Sequence, residues 1–183
     1  SSHQTENAPR IAYFVPESEY FTLTIQASSF QSLQGGLKNP MKIGLSRTIN
    51  QQYQRLMMSI AMICGAVLGI GLFTLMFSAF SLANGGKTKR IFIFGIFIVF
   101  LALHNLFSAP YAYTTFLNLS WSCGIRLEYL FSFLAILFFL SYMFLLSSRY
   151  LHRWVYSAAM LLLSFNIGVT LWAEPTIFQQ LAF

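Results

Sequence analysis

The sequence predicts a membrane protein: an all-α transmembrane helical bundle of four spans, preceded by a short extracellular β segment. Three observations predict it. Hydrophobic residues make up 56% of the 183-residue chain and charged residues only 9%, against about 25% charged in a soluble domain. The apolar residues are concentrated after residue 55, in four runs. Each run is close to or above the roughly 20 residues a helix needs to cross hydrocarbon. A soluble bundle does not explain four such runs in one small chain. A helix also satisfies its own backbone hydrogen bonds where water is absent.

The elements follow in order. Residues 1–10 are polar and read as a loose end. "IAYFVP" and "YFTLTIQASSF" read as strands: Phe21, Leu23, Ile25 and Ala27 alternate with Thr22, Thr24, Gln26 and Ser28, the period of a half-buried strand. "QGGLKNP" is a turn, and "MKIG" is a candidate last strand. Two or three strands do not stand alone. Residues 1–50 are therefore either the carboxyl-terminal part of a larger β domain or a small cap on the membrane part. Residues 51–183 form the transmembrane domain, with spans at 56–83, 91–108, 121–146 and 154–172. "SSHQTENAPR" lacks the apolar core of a signal peptide, so export of the first fifty residues is expected to depend on an upstream segment or on the first span itself.

Charge sets the expected topology. The net charge is +6, but the basic residues are scattered in short clusters beside the apolar runs, which does not suit a nucleic-acid surface. "NGGKTKR" and "SSRYLHR" carry basic residues and no acid, whereas "APYAYTTFLNLS" carries neither. The positive-inside rule then places the first and third connections in the cytoplasm and the amino end outside. Lys38, Lys42, Arg47 and Arg55 argue the other way unless they belong to a folded domain translocated regardless of charge. Trp121, Trp154 and Trp172 stand where an aromatic belt expects them. Cys64 and Cys123 form neither a disulfide framework nor a metal motif.

Polar residues inside the runs are the candidate sites. His104 and Asn105 interrupt the second span and Asn166 the fourth. His104 and Asn166 stand at similar depths, so a shared hydrogen-bonded layer, a ligand pocket or a conformational switch are the readings. Arg126 and Glu128 are two apart, so a helix points them in nearly opposite directions and they do not form a helical salt bridge. Span length lifts both to the outer rim, where Arg126 can snorkel to headgroups or water. The readings for this pair are rim anchoring, interhelical or interdomain coupling, and direct ligand contact. Ala61, Gly65 and Gly69, at intervals of four, offer a small-residue face for helix packing within the chain or between copies.

No HExxH, GxxxxGK[ST] or GxSxG motif occurs, and no paired carboxylates lie within the spans. Intramembrane catalysis would need a nucleophile–base pair or several metal ligands. The expectation is a non-enzymatic segment with no catalytic residues, cofactor or metal.

"YFTLTIQASSFQSLQGGLKNPMKIG", the long first span with its "GGKTKR" turn, and "RLEYLFSFLAILFFLSYMF" resemble corresponding pieces of the bacterial seven-transmembrane receptors with diverse intracellular signalling modules. In that family an outer jelly-roll-like domain precedes seven helices and a cytoplasmic output domain. The resemblance implies a fragment holding the end of the β domain and the first four spans. It implies a sensor in the inner membrane of a bacterium, with a carbohydrate or other small molecule as extracellular ligand. The alternatives are a transporter or channel fragment lined by His104, Asn105 and Asn166, or a scaffold that forms a homodimer through the first span. Lipid is the expected surrounding partner in every case.

Overall fold

The computed structural model describes residues 13–15, 20, 22, 43–146 and 152–172. Four α-helices dominate it: α1 (Ser46–Ala83), α2 (Lys89–Phe107), α3 (Trp121–Leu146) and α4 (Arg153–Trp172), with a single 3₁₀ turn (Ala112–Thr115) between α2 and α3. All four α-helices are long and apolar enough to cross a membrane. The chain is a multi-pass membrane protein whose described residues form an all-α bundle. No strand occurs among the described residues: 13–15, 20, 22 and 43–45 have irregular backbone. The remainder of the proposed β segment lies outside them.

Helix α1 starts ten residues before the apolar run that announced it. It has 38 residues, or about 57 Å at 1.5 Å per residue, against a hydrocarbon core of about 30 Å. Its first stretch, residues 46–55, is polar and extends the helix beyond any apolar slab. No proline interrupts it. It stops at a glycine terminus: Gly85 adopts φ 80°, the left-handed turn that ends helices at low steric cost. The Gly86 N–H donates to the Ser81 carbonyl at 2.8 Å. The Thr88 hydroxyl donates to the Ser78 carbonyl at 3.1 Å, folding the turn back onto α1.

The buried residues of α1 are Met57, Cys64, Gly71 and Ser78. Their uniform spacing of seven is the seam of a helix pair with a 3.5-residue repeat. The partner is α2. A Cβ added to Gly71 would lie 2.9 Å from Val99 Cγ2, and one added to Gly95 would lie 3.0 Å from Leu75 Cδ2. Each helix thus contributes one glycine to a close approach that small residues permit. By contrast, Gly65 and Gly69 face open space. Among the described residues, nothing packs against these two glycines of the stripe, while Ala61 is half-buried.

Helices α2 and α3 pair through an antiparallel ladder of rings. Phe94 meets Tyr142 at 5.0 Å, Phe97 meets Phe139 at 5.3 Å, and Phe100 meets Phe138 at 5.6 Å. These spacings lie in the range of favourable aromatic pairs. Helix α4 packs on α3, where the Tyr156 ring stacks on Phe144 at 4.3 Å. Among the described residues α4 touches neither α1 nor α2. The four helices therefore pack serially, each against its neighbour in sequence. Large side chains such as Phe73, Phe77, Leu161 and Phe165 remain exposed. Hydrocarbon is the solvent that suits such surfaces.

Candidate functional site

The densest cluster of functional side chains lies where α2 ends and α3 begins. The chain leaves α2 through a cis Ala109–Pro110 peptide and enters Tyr111 at φ 64°, a left-handed conformation that is rare for a residue with a Cβ. Hydrogen bonds hold it there. The Tyr111 N–H donates to the Ser108 carbonyl at 2.7 Å. The Thr114 hydroxyl donates to the Tyr111 carbonyl at 2.9 Å. The 3₁₀ turn that follows places Tyr113 inside, only 1% exposed.

Rings close this end. Tyr113 stacks on Phe107 at 4.6 Å, and Tyr111 meets Trp121 edge to face at 4.9 Å. Phe107 in turn meets Phe131 at 5.4 Å. The Tyr113 phenol occupies the space that a side chain at residue 124 would need. Gly124 is therefore required by close approach, because any Cβ would strike the phenol. The 3₁₀ turn also touches α1, so the cap contacts three helices.

Glu128 and Arg126 extend the cluster. His104 Nδ1 lies 3.2 Å from the Glu128 carbonyl oxygen. A carbonyl only accepts, so Nδ1 carries the proton in this contact. The bond joins the last turn of α2 to the first turns of α3. The Arg126 Nη1 donates to the Leu171 carbonyl at 3.1 Å. A cation there meets a carbonyl in the last turn of α4, where the helix dipole is negative. Burial, and then the Glu128 carboxylate, push the Tyr111 phenol up to about 12. The same two causes, with a smaller contribution from Cys123, raise Tyr113. Both phenols therefore stay protonated across the physiological range.

The candidate residues separate into two groups. His104, Arg126 and Glu128 lie at one end, with Arg126 bonded across to α4. Asn105 and Asn166 do not join them. Each donates its amide to its own helix, to Leu101 O and Leu162 O, both at 3.0 Å. The expected bond between His104 and Asn166 does not form, because serial packing keeps α2 and α4 apart. Asn105 instead lines a half-open groove of about 340 Å³ between α1 and α2, with Ile60, Cys64 and Pro110 among its walls. Among the described residues no three potential metal ligands group together.

Sequence reasoning missed Tyr111, Tyr113 and Gly124. The signal was faint: a proline followed by two tyrosines in a short connection, and one glycine in the first turn of a span. It also missed Gly71, which lies two residues beyond the Gly65–Gly69 stripe, and Gly95, the single glycine of its run. Comparison with protein-family models, with curated proteins and with solved structures finds no match for this chain. What the molecule itself establishes is a multi-pass membrane protein of four serially packed helices, closed at one end by an aromatic cap.

Proposed function

We propose that the chain is the membrane module of a sensory transducer, of the bacterial seven-transmembrane receptor class that its RLEYL segment resembles. In this reading the amino end and the aromatic cap face outward from a bacterial inner membrane. An outer domain detects a carbohydrate or other small molecule, and a cytoplasmic output domain reads the helices. The observation that carries the proposal is α1. It runs without a break from its polar start at Ser46 to Ala83, so a displacement at its outer end has no hinge to absorb it. The cap adds support, because its 3₁₀ turn contacts α1 and α2, its Tyr113 ring rests on Gly124 of α3, and Arg126 ties in α4. Coupling of this kind needs two arrangements with different ligand affinity.

The polar residues that a transport path would use do not converge, which favours transduction. One observation favours a second reading, a scaffold that pairs through α1: Gly65 and Gly69 are open. Cysteine cross-linking at Gly65 in native membranes tests it, and an absence of dimer removes it.

The test of the transducer is the output of the full-length protein, with and without a panel of sugars, for wild type and Glu128→Gln at equal expression. The proposal predicts that the substitution changes basal output, stimulated output, or both. Unchanged output in both conditions overturns it.

A further inference from the structure

Among the described residues, the end of the molecule opposite the cap carries charge of one sign. Lys87, Lys89 and Arg90 are all exposed on the turn into α2. Exposed Arg153 and Trp154, the latter 80% exposed, begin α4. The α1–α2 pair is antiparallel, as the Gly71–Val99 and Gly95–Leu75 approaches show. The ring ladder makes α2–α3 antiparallel, and the Ser141–Tyr156 and Arg126–Leu171 contacts do the same for α3–α4. The two basic starts therefore lie at the same end. No acid occurs in residues 84–90 or 147–153. Glu128 belongs to the cap, Glu6, Glu17 and Glu19 precede α1, and Glu174 follows α4.

The turn that bears these charges is built without using them. Backbone and neutral side chains hold it: Asn84 Nδ2 donates to the Phe80 carbonyl at 2.9 Å, and the Thr88 hydroxyl donates to Ser78. The basic side chains remain outside that framework. Their sign also opposes the positive ends of α2 and α4, so an external anion would relieve both.

We propose that this surface binds anionic phospholipid headgroups. Charge complementarity selects the partner. The helices on either side are apolar and of membrane length, so the turn sits at headgroup level, and exposed Trp154 is a residue type that favours that zone. A basic residue near an anionic leaflet strengthens association by about fivefold. Three on one turn give a preference that outlasts exchange with neutral lipid.

The test uses the whole chain in detergent, titrated with phosphatidylglycerol or phosphatidylcholine of identical acyl chains and read by native mass spectrometry. Wild type is expected to retain phosphatidylglycerol about tenfold better or more. The variant Lys87→Gln/Lys89→Gln/Arg90→Gln is expected to lose that preference. Lys87→Arg/Lys89→Arg is expected to keep it, as is Arg47→Gln/Arg55→Gln at the other end. Equal retention of the two lipids by wild type overturns the proposal. It would leave the surface to an acidic protein segment. A preference that survives the triple substitution overturns it equally.

Discussion

The Tyr113 phenol rests on the bare α-carbon of Gly124, filling the volume that any side chain there would need. This contact locks the 3₁₀ turn to the first turns of α3, and the stacking of Tyr113 on Phe107 locks the same ring to α2. Gly124→Ala is predicted to expel the ring. Overpacking of this kind costs about 1–3 kcal/mol, read as a lower midpoint of thermal unfolding in detergent. Trp121, which touches Tyr111, should report the change by fluorescence. Combining Gly124→Ala with Tyr113→Leu should cost less than the sum of the two. Strict additivity would show that the contact does not couple them.

The α1–α2 seam gives an opposed pair of outcomes. Gly71→Ala places a Cβ 2.9 Å from Val99 Cγ2 and 3.2 Å from the Val99 backbone nitrogen. It is predicted to destabilise by about 1–3 kcal/mol. Gly65→Ala meets nothing within 4 Å and should be neutral or stabilise by up to about 1 kcal/mol through helix propensity. Thermal unfolding of the two variants in one detergent checks both. Equal losses would contradict the seam.

Arg126 holds the far end of α4. Arg126→Gln keeps a donor but removes the charge that meets the terminal carbonyl of Leu171. The expected loss is about 0.3–1 kcal/mol, concentrated at the end of α4. Hydrogen exchange of residues 167–172 should quicken while the α1–α2 seam keeps its protection. Uniform acceleration across all helices would contradict a local role.

The cap also predicts an alkaline transition. Burial and the Glu128 carboxylate raise the Tyr111 phenol to about 12, from an ordinary value near about 10. A group raised in the folded state contributes stability that is complete below its unfolded pKa. That contribution is lost as pH rises toward the folded value. The cap should therefore loosen between about pH 10 and pH 12, seen as tyrosinate absorbance together with a change in Trp121 fluorescence. Removing the charge by Glu128→Gln should move the tyrosinate transition to lower pH, because the carboxylate is the largest cause after burial. Burial is the larger cause, so the shift should be partial.

Much of the fold was legible because hydrocarbon imposes a simple rule. The run that became α3 begins and ends where its apolar residues do, at Trp121 and Leu146. The start of α1 was not legible, since residues 46–55 are polar and hydropathy does not distinguish a polar helix from a polar loop. The site was half legible. Arg126, Glu128 and His104 are conspicuous as polar groups at the ends of apolar runs, and they do gather at one end. Their bonds were not readable, because the partners of His104 and Arg126 are backbone carbonyls on other helices. Every residue has a carbonyl, so none announces itself. The small-residue rule picked Ala61, Gly65 and Gly69 by their spacing. Among the described residues Gly71 and Gly95 make the close α1–α2 approach, because a crossing needs only one small residue on each helix.

Transduction as proposed requires mechanical continuity between the cap and the opposite end of the molecule. Spin labels at Lys87→Cys and Arg153→Cys, with Cys64 and Cys123 replaced by serine, measure the separation of the α1–α2 turn and the start of α4. Pulsed electron resonance on the chain in lipid nanodiscs then compares the labelled parent with the same protein carrying Gly124→Ala, with helicity matched by circular dichroism. Breaking the cap is predicted to shift this distance by about 1–2 Å, the scale of helix displacements in switching proteins. An unchanged distance distribution in a demonstrably loosened cap would contradict it.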